Sequence, residues 1–329
     1  MKFKSKIILG DSLKELKRLK SNSFDHCITD PPYNLSNYSG KKNIGWYKSN
    51  PTWRIEKKFN KIDEKWDTFS DDDYFNFTKD WLDEIFRIVK PNGNILIFGT
   101  YHNIYKIGYI LSKEDKRIVN SIIWYKRNAF PNITLRMFCE STEQIIWSVN
   151  NSTKKAKNWI FNYNEMKKLT HNKKQMRNMW DIPMTPKNEK KYGKHPSQKP
   201  IEIINRLIKG CTNKNDLVID PFSGSGTVPL VCKMNKRGYF GIEKDKKYFS
   251  AANRRINSTK IIEDNYLDTV ENNKSKPRIP FGSLVEMGII KPGSILFDQK
   301  RKFNAKIMAD GSLQLIKYFL ILIFVLNYL

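Results

Sequence analysis

A short apolar strand that runs into a glycine-rich turn is the feature that most constrains the fold. Residues 217–220 (LVID) predict a buried strand, and the turn that follows contains Gly224 and Gly226. Helical spacing comes next, and then a second apolar strand at residues 239–242, which ends at Glu243. Glycines in such a turn let the backbone bend tightly and approach a ligand. This order of strand, turn, helix and strand predicts an α/β fold with a parallel sheet.

The spacing around this turn limits the kinds of ligand that the turn could bind. Glu243 follows Gly224 by 19 residues, close to the spacing at which an acid reaches ribose hydroxyls in nucleotide-binding folds. The chain lacks the third glycine of the nicotinamide fingerprint and has no phosphate-binding GxxxxGK pattern. The pattern therefore favours a nucleoside cofactor without phosphates, and S-adenosylmethionine fits. A purely structural turn between a strand and a helix is the alternative.

A second apolar run ends in a rigid corner. Residues 24–29 predict a strand, and Asp30, Pro31, Pro32 and Tyr33 follow it directly. Proline has no N–H group, so the strand must end there. The Asp30 carboxylate and the Pro31 carbonyl can each accept a hydrogen bond from an exocyclic amine, and the ring of Tyr33 can stack on a flat heterocycle. The corner therefore suits a flipped-out nucleobase, while a proline-rich turn capped by an Asp is the plainer interpretation.

Other segments continue the alternation of strands and helices. Asp11 follows the first predicted strand, where it could serve a ligand or cap the next helix equally well. Strands are predicted at residues 3–9, 94–98, 121–125 and 145–149, and helices at residues 12–19, 71–89, 201–208 and 248–256. Two more helices are predicted to run through Tyr109 and through Met234.

The charge of the chain points to a polyanionic partner. Lys and Arg number 59 against 33 Asp and Glu, a net charge of +26, which favours nucleic acid or an anionic membrane. A generally Lys-rich composition accounts for part of this excess. Aromatic and cationic residues interleave in residues 34–73, and cations dominate the later part of residues 127–194, both typical of nucleic-acid binding. A self-packed excursion and a solvated basic surface are the alternatives. The residues expected to contact nucleic acid are Lys41, Lys42, Arg127, Lys173, Lys174, Arg177 and Lys194.

The cysteines and histidines predict neither disulfides nor a metal site. No pair among Cys27, Cys139, Cys211 and Cys232 has zinc-ligand or redox spacing, and three of them lie in apolar runs. They are expected to be buried thiols in a reducing compartment. The four histidines are scattered, and the N-terminus has no apolar core of signal-peptide length. We therefore expect a cytoplasmic protein without a metal.

The two loops together resemble the β-class amino-methyltransferases of DNA, specifically the N6-adenine enzymes of restriction–modification systems. The shared marks are residues 30–33 (DPPY), a target-recognition segment, residues 195–200 (HPSQKP) and residues 220–227 (DPFSGSGT), in the β-class order. The resemblance covers about residues 5–256. It implies a Rossmann-like, S-adenosylmethionine-dependent α/β fold, whose mostly parallel seven-stranded sheet is circularly permuted and carries an inserted target-recognition region.

The resemblance also implies roles by position. Asp30, Pro31, Pro32 and Tyr33 would form the catalytic corner. Lys199 would lie near the methionine end of the cofactor, Glu243 at its ribose and Asp11 near its adenine. The implied cofactor-binding residues are Asp11, Asp30, Lys199, Pro200, Asp220, Phe222, Ser223, Gly224, Gly226, Thr227 and Glu243.

The implied reaction is transfer of a methyl group from S-adenosylmethionine to N6 of a flipped adenine in duplex DNA. In having an acid at residue 30, the chain resembles the adenine enzymes more than the cytosine-N4 enzymes. Cytosine-N4 methylation, RNA methylation and a DNA-binding subunit without catalysis are the alternatives. The implied partners are double-stranded DNA, a cognate restriction endonuclease at the level of the system and, because dimers are common in similar enzymes, a second copy of the chain. A solitary regulatory role is the alternative to the restriction-linked one.

The predicted organisation has three parts. Residues 1–260 form the catalytic domain, with a DNA-facing loop at 34–73 and the target-recognition region at 127–194; residues 261–278 form a linker. Residues 279–312 resemble the start of a small domain fused to related enzymes, with strands at 294–297 and 304–308, so that residues 279–329 are a partial associated domain. Residues 313–329 become almost wholly apolar, which favours a frame-shifted or truncated terminus over a membrane anchor. No stable membrane association is expected.

Overall fold

Short strands alternate with helices in the computed structural model, which describes residues 5–34, 69–131, 136–151, 158–170, 174–192, 195, 197–259, 281–297 and 303–315. The strands of the larger sheet are β1 (Lys6–Leu9), β2 (His26–Thr29), β3 (Asn94–Gly99), β4 (Arg117–Tyr125), β5 (Thr142–Val149), β6 (Met179–Asp181), β7 (Leu217–Asp220) and β8 (Gly238–Glu243). The helices around it are α1 (Ser12–Arg18), α2 (Asp71–Ile88), α3 (Ile104–Lys113), α4 (Tyr163–Lys168), α5 (Ile201–Cys211), α6 (Thr227–Met234) and α7 (Lys246–Asn257), with a 3-10 turn at Lys187–Lys190.

These strands form one sheet in the order β1-β8-β7-β2-β3-β5-β4-β6. All neighbouring pairs are parallel except β3 with β5 and β5 with β4. The predicted α/β fold with a mostly parallel sheet is confirmed. Across the described ranges the sheet has eight strands rather than the implied seven. The three-residue strand β6, which sequence periodicity did not predict, exists because it pairs with the edge of β4.

Two strands extend beyond their predicted limits. β4 begins at Arg117 rather than residue 121, and β5 begins at Thr142 rather than residue 145. The added residues pair with the other strand, Arg117 with Val149 and Tyr125 with Thr142. None of the added residues is buried, and all except Ile118 and Val119 are polar, so the pairing partner rather than an apolar run identifies them as strand.

Helices cover both faces of the sheet. Every residue of β3 is buried, as expected for a strand with packed layers above and below. Ile95 and Ile97 pack with Trp81 of α2, while Leu96 and Phe98 on the opposite face pack in the cluster that includes residues of α5. Alternate side chains of one strand therefore join two separate cores.

The four cysteines do not share one environment. Cys27, Cys211 and Cys232 are buried and unbridged, as predicted from their apolar runs. Cys139 is exposed, and the prediction of a buried thiol is wrong there, because the residue lies in the loop between β4 and β5 rather than in a strand.

Residues 1–268 and residues 269–329 form two separate compact units. The division falls within residues 261–278, where the linker is predicted, and those residues lie outside the described part of the chain. The second unit contains α8 (Phe281–Glu286) and an antiparallel sheet of β9 (Ile295–Phe297), β10 (Asn304–Ile307) and β11 (Leu313–Leu315). Within the described ranges, no helix has both the length and the apolar character needed to cross a membrane. Most of the predicted apolar tail, residues 316–329, lies outside those ranges.

Asn94 at the start of β3 links several elements through buried hydrogen bonds. Its Nδ2 donates to the carbonyls of Cys211 at 2.7 Å and Ile160 at 2.9 Å, and its Oδ1 accepts from the indole N–H of Trp147 at 2.9 Å. One side chain thereby satisfies polar groups of β5, of α5 and of the segment before α4.

Replacing Asn94 should therefore destabilise the fold strongly. Asn94→Ala leaves two carbonyls and an indole N–H without their partner, and each such group costs about 1–3 kcal/mol. We expect the free energy of unfolding to fall by roughly 3 kcal/mol or more, measured by urea denaturation. Asn257→Ala at the exposed end of α7 is the matched control and should change it by less than about 0.5 kcal/mol. Equal unfolding midpoints for the two variants would contradict this role of Asn94.

Candidate active site

Four acidic residues stand at the carboxyl ends of four neighbouring strands. Asp11 follows β1, Glu243 ends β8, Asp220 ends β7 and Asp30 follows β2. These strands are parallel neighbours, so their carboxyl ends meet at one edge of the sheet. All four acids line one cavity of about 440 Å³. Residues far apart in the chain therefore face a single volume large enough for a cofactor.

Most of the predicted site residues line this cavity. Besides the four acids, these are Pro31, Pro32, Tyr33, Lys199, Phe222, Ser223, Gly224 and Thr227. Pro200 and Gly226 do not line it, and their assignment as cofactor-binding residues stays a prediction. Pro200 is buried at the N-cap of α5. Gly226 faces α7 instead, because a Cβ at this position would lie 2.9 Å from the Cβ of Ala252.

The glycine-rich turn is held by Glu243. Gly224 adopts a φ of +48° and Gly226 a φ of +71°, the left-handed region that glycine tolerates. The Gly224 N–H donates to Glu243 Oε2 at 2.7 Å, and the Asp245 N–H donates to Oε1 at 2.7 Å. Burial raises the pKa of Glu243. The carboxylate therefore shapes the turn and still borders the cavity, where each oxygen has a second lone pair to offer a ligand.

Asp220 is a buried acid of the row with a strongly raised pKa. Its Oδ1 accepts from the Thr29 hydroxyl at 2.9 Å and from the Phe222 N–H at 3.2 Å. Burial raises its pKa to about 7, and although the two hydrogen bonds counteract burial, the nearby carboxylates of Asp30 and Glu243 reinforce it. The sheet edge thus concentrates negative charge that a cationic ligand would relieve.

Asp11 caps a helix, and its position leaves the second interpretation, a ligand contact, open as a prediction. It is the N-cap of α1, where its Oδ1 accepts from the Lys14 N–H at 3.3 Å. Its Oδ2 pairs with Lys244 Nζ at 3.1 Å, and the residue borders the cavity. Capping and ligand contact are compatible because the two oxygens face different partners.

The corner after β2 is organised by a buried lysine. Lys199 Nζ lies 2.6 Å from Asp30 Oδ2, and the Tyr33 hydroxyl donates to Asp30 Oδ1 at 2.5 Å. Burial disfavours the Lys199 ammonium, but the carboxylates of Asp30 and Glu143 outweigh it and raise the pKa of Lys199. Burial raises the pKa of Asp30, and the Lys199 ammonium counteracts that rise. Asp30 is therefore held in place by two donors within the wall of the cavity.

The sequence did not single out two charged residues of this corner. Glu143 Oε2 lies 3.3 Å from Lys199 Nζ and 3.3 Å from the Tyr33 hydroxyl, and Lys126 Nζ lies 3.4 Å from Glu143 Oε1. Lys126 follows β4 and Glu143 is the second residue of β5. Antiparallel pairing of these strands brings the two side chains to the same edge. The sequence signal was a charge at each end of the connecting loop, which has meaning only once the pairing is known.

His195 was quoted only as part of a motif, yet it borders the cavity. Burial, aided by the nearby charge of Lys199, lowers its pKa to about 4, so the imidazole is neutral near pH 7. Its ring packs edge-on against Tyr248 at 4.4 Å between centroids. A Cβ at Gly224 would lie 3.0 Å from His195 Nε2, so glycine is needed for this close approach.

The residues predicted to contact nucleic acid lie in different environments. Lys174 and Arg177 are exposed on the segment before β6. Arg127 pairs within the protein, since its Nε donates to Asp181 Oδ1 at 2.7 Å, and its contact with a phosphate stays a prediction. The remaining four, Lys41, Lys42, Lys173 and Lys194, lie outside the described residues. In the described ranges, no cluster of His, Cys, Asp and Glu could hold a metal ion.

Comparisons with known proteins agree with this geometry. The sequence model of a family described as DNA methylase matches residues 24–254. Type II methyltransferase M.HinfI of Haemophilus influenzae is 32% identical over 95% of this chain and 84% of that protein. Type II methyltransferase M2.LlaDCHI of Lactococcus lactis subsp. cremoris is 38% identical over 76% of this chain and 88% of that protein. The chain belongs to the DNA methylase family, as an N4/N6-type DNA methyltransferase, and the resemblance is confirmed at that level.

Solved structures show the same fold. The M1.HpyAVI–SAM complex has a TM-score of 0.54 and 29% identity, and the match covers 77% of this chain and 98% of that one. The PvuII DNA methyltransferase, described as cytosine-N4-specific, has a TM-score of 0.56 and 16% identity, with coverage of 82% and 90%. At that identity, the second likeness concerns the fold alone.

Because the pKa of Asp220 is raised, the stability of the protein should depend on pH. The folded pKa of Asp220, about 7, lies above the unfolded value near 4, so its contribution to stability is complete below about pH 4 and is lost as the pH rises to about 7. Asp220→Asn should reduce the fall of the unfolding free energy with rising pH, by up to roughly 1.4 kcal/mol per pH unit. Urea unfolding at pH 5, 6, 7 and 8 measures it, with Asp72→Asn on the exposed start of α2 as the control. Parallel curves for wild type and Asp220→Asn would contradict the burial argument.

Proposed function

We propose that this chain transfers a methyl group from S-adenosylmethionine to the exocyclic N6 of a flipped adenine at specific sites in duplex DNA. The observation that carries the proposal is the shared cavity. Asp30, Pro31 and Tyr33, a set suited to an exocyclic amine, line the same volume as the glycine-rich turn. A base and a nucleoside cofactor bound in one volume can meet at the reacting atoms.

The residues present fit S-adenosylmethionine as the cofactor. Asp11 and Glu243 offer carboxylate oxygens to hydroxyl and amino groups, and Phe222, Val228 and Ile242 give the cavity an apolar wall that suits a flat ring. Asp220 and Asp30 favour a nearby cation, as a sulfonium is. The bound cofactor supplies a methyl group that the sulfonium charge has already activated. The SAM complex of M1.HpyAVI supports this assignment.

The protein contributes positioning and electrostatics to the transfer. An adenine amine is a poor nucleophile because its lone pair is delocalised into the ring. Hydrogen bonds from its two N–H groups to Asp30 and to the Pro31 carbonyl would favour a pyramidal nitrogen with a localised lone pair. Tyr33 would stack on the base and fix its plane. The methylated nitrogen is cationic and loses a proton readily, so Asp30 does not have to be a strong base.

The wider assignments belong to the same proposal. Residues 34–73 would face the DNA and residues 127–194 would read the target site, with exposed Lys174 and Arg177 on phosphates. We place the enzyme in the cytoplasm, in a restriction–modification system with a cognate endonuclease. A homodimer stays a prediction. Cytosine-N4 methylation is the second candidate, because the fold is also that of a cytosine-N4-specific enzyme.

The first test identifies the methylated base. Purified protein is incubated with S-adenosylmethionine and mixed-sequence duplex DNA, and the digested nucleosides are analysed. N6-methyladenine is the expected product, and N4-methylcytosine would overturn the base assignment. Competition with RNA should leave the rate on DNA unchanged; strong inhibition by RNA would contradict duplex DNA as the substrate.

Asp30→Ala should abolish transfer and spare cofactor binding. The variant removes one acceptor for the target amine, while the row of Asp11, Asp220 and Glu243 stays intact. We expect a loss of at least about 100-fold in the transfer rate, comparable to the loss of one preorganised group at a reacting centre. Calorimetric titration with S-adenosylmethionine is the internal control, and its dissociation constant should change by only a few fold. Near-normal transfer would refute the role given to Asp30.

Neutralising Lys174 and Arg177 should weaken DNA binding in a salt-dependent way. Each lost phosphate contact reduces the slope of log affinity against log salt by roughly one. Lys14→Ala and Lys17→Ala on α1 provide the matched loss of charge outside the proposed DNA-binding region. Affinity measured between about 50 and 200 mM salt distinguishes the two double variants. An identical slope in the wild type and in the Lys174/Arg177 variant would exclude these residues from the interface.

A further inference from the structure

Glu143 stands beside the corner formed by Asp30 and Tyr33. Because β5 runs antiparallel to β3 and β4, its first residues lie at the carboxyl edge of the parallel strands. Glu143 pairs in register with Trp124 of β4. Its side chain is only 14% exposed, so water screens its charge weakly.

The two donors that bind Asp30 also reach Glu143. Lys199 Nζ lies 2.6 Å from Asp30 and 3.3 Å from Glu143 Oε2. The Tyr33 hydroxyl lies 2.5 Å from Asp30 and 3.3 Å from the same Glu143 oxygen. Two carboxylates therefore share two donors, with the short contact to Asp30 and the long contact to Glu143 in both cases.

This sharing matters because a target amine needs Asp30 as its acceptor. A carboxylate that already accepts from an ammonium and a phenol is a weaker acceptor for a neutral amine. A shift of roughly half an ångström would bring either donor within ideal hydrogen-bond distance of Glu143. Both donors can thus be accommodated without leaving a buried polar group unpaired.

The charges of this network also favour a shift of the two donors from Asp30 to Glu143. Asp30 and Glu143 carry two negative charges, and Lys199 and Lys126 carry two positive ones within the same network. Removing the charge of Glu143 would leave an excess positive charge next to the position of a cationic sulfonium. Like charges in a poorly screened site repel, so this loss would disfavour the reacting arrangement.

We propose that Glu143 is a positioning residue for methyl transfer, which accepts the Lys199 and Tyr33 hydrogen bonds while the target amine binds Asp30. No proton is transferred in this exchange: Lys199 remains an ammonium and Tyr33 a phenol. The inference rests on the proposed function, because it requires an exocyclic amine at Asp30.

The test compares Glu143→Gln with wild type in single-turnover methylation at saturating cofactor and DNA. Glutamine keeps the size of the side chain and removes its charge. We expect the single-turnover rate to fall roughly 10- to 100-fold, the range for a misplaced reacting group, while the cofactor dissociation constant and the melting temperature stay close to wild type. Glu143→Asp restores a carboxylate and should recover part of the rate.

Glu140→Gln is the matched control. Glu140 is exposed in the loop just before β5, and within the described contacts it forms no hydrogen bond with Asp30, Tyr33 or Lys199. The single-turnover rate of Glu140→Gln should stay within about twofold of wild type, a much smaller change than the rate loss expected for a misplaced reacting group.

The outcomes separate this inference from the proposed function. If wild type produces N6-methyladenine and Glu143→Gln reacts within twofold of wild type, the role of Glu143 is refuted and the function stands. If wild type methylates cytosine N4, the base assignment fails, and the ratio of the two rates still decides the role of Glu143. A rate loss matched by loss of cofactor binding or of melting temperature would show a structural role and overturn the inference. A wild type that methylates no base would overturn both.

Discussion

The buried ion pair between Asp30 and Lys199 joins parts of the chain that lie 169 residues apart. A charge buried without a partner costs several kcal/mol, so the two groups stabilise each other in the interior. Asp30 comes from the end of β2 and Lys199 from the segment just before α5. The corner proposed to bind the target amine therefore depends on residues from both halves of the chain.

The order of the strands explains why so many acids share one edge. β8 and β7 come late in the chain but lie between β1 and β2 in the sheet. Parallel pairing then aligns the carboxyl ends of all four, and with them Asp11, Glu243, Asp220 and Asp30. The burial of these carboxylates raises the pKa of Asp220 and of Glu243, and a nearby carboxylate adds to each rise. The same burial requires compensating hydrogen-bond donors, which the N–H groups of the glycine turn and Lys199 provide inside the protein. It also favours the cationic cofactor proposed for the cavity.

The acids of this edge were accessible from the sequence, whereas some of their neighbours were not. An acid directly after an apolar run marks the end of a strand, and in an α/β fold that end is a site. Pro200 and Gly226 belong to the same motifs as the cavity residues, yet they serve the N-terminus of α5 and the packing of α7. Arg127 had the charge expected of a phosphate contact, but it pairs with Asp181, which the unpredicted strand β6 places beside it. A motif identifies a region, and packing assigns each residue within it.

The sequence by itself determined the α/β class, the strands that end at Asp30 and Asp220, and the glycine turn between β7 and α6. These follow from local rules, since periodicity, the missing N–H of proline and the backbone freedom of glycine act over a few residues. Only the tertiary structure decided that Glu143 meets Tyr33, 110 residues away in the chain, and that Lys199 binds both. That meeting depends on the antiparallel register of β5 against β4 and β3. Register is set by contacts between distant segments, so no local pattern in the chain records it.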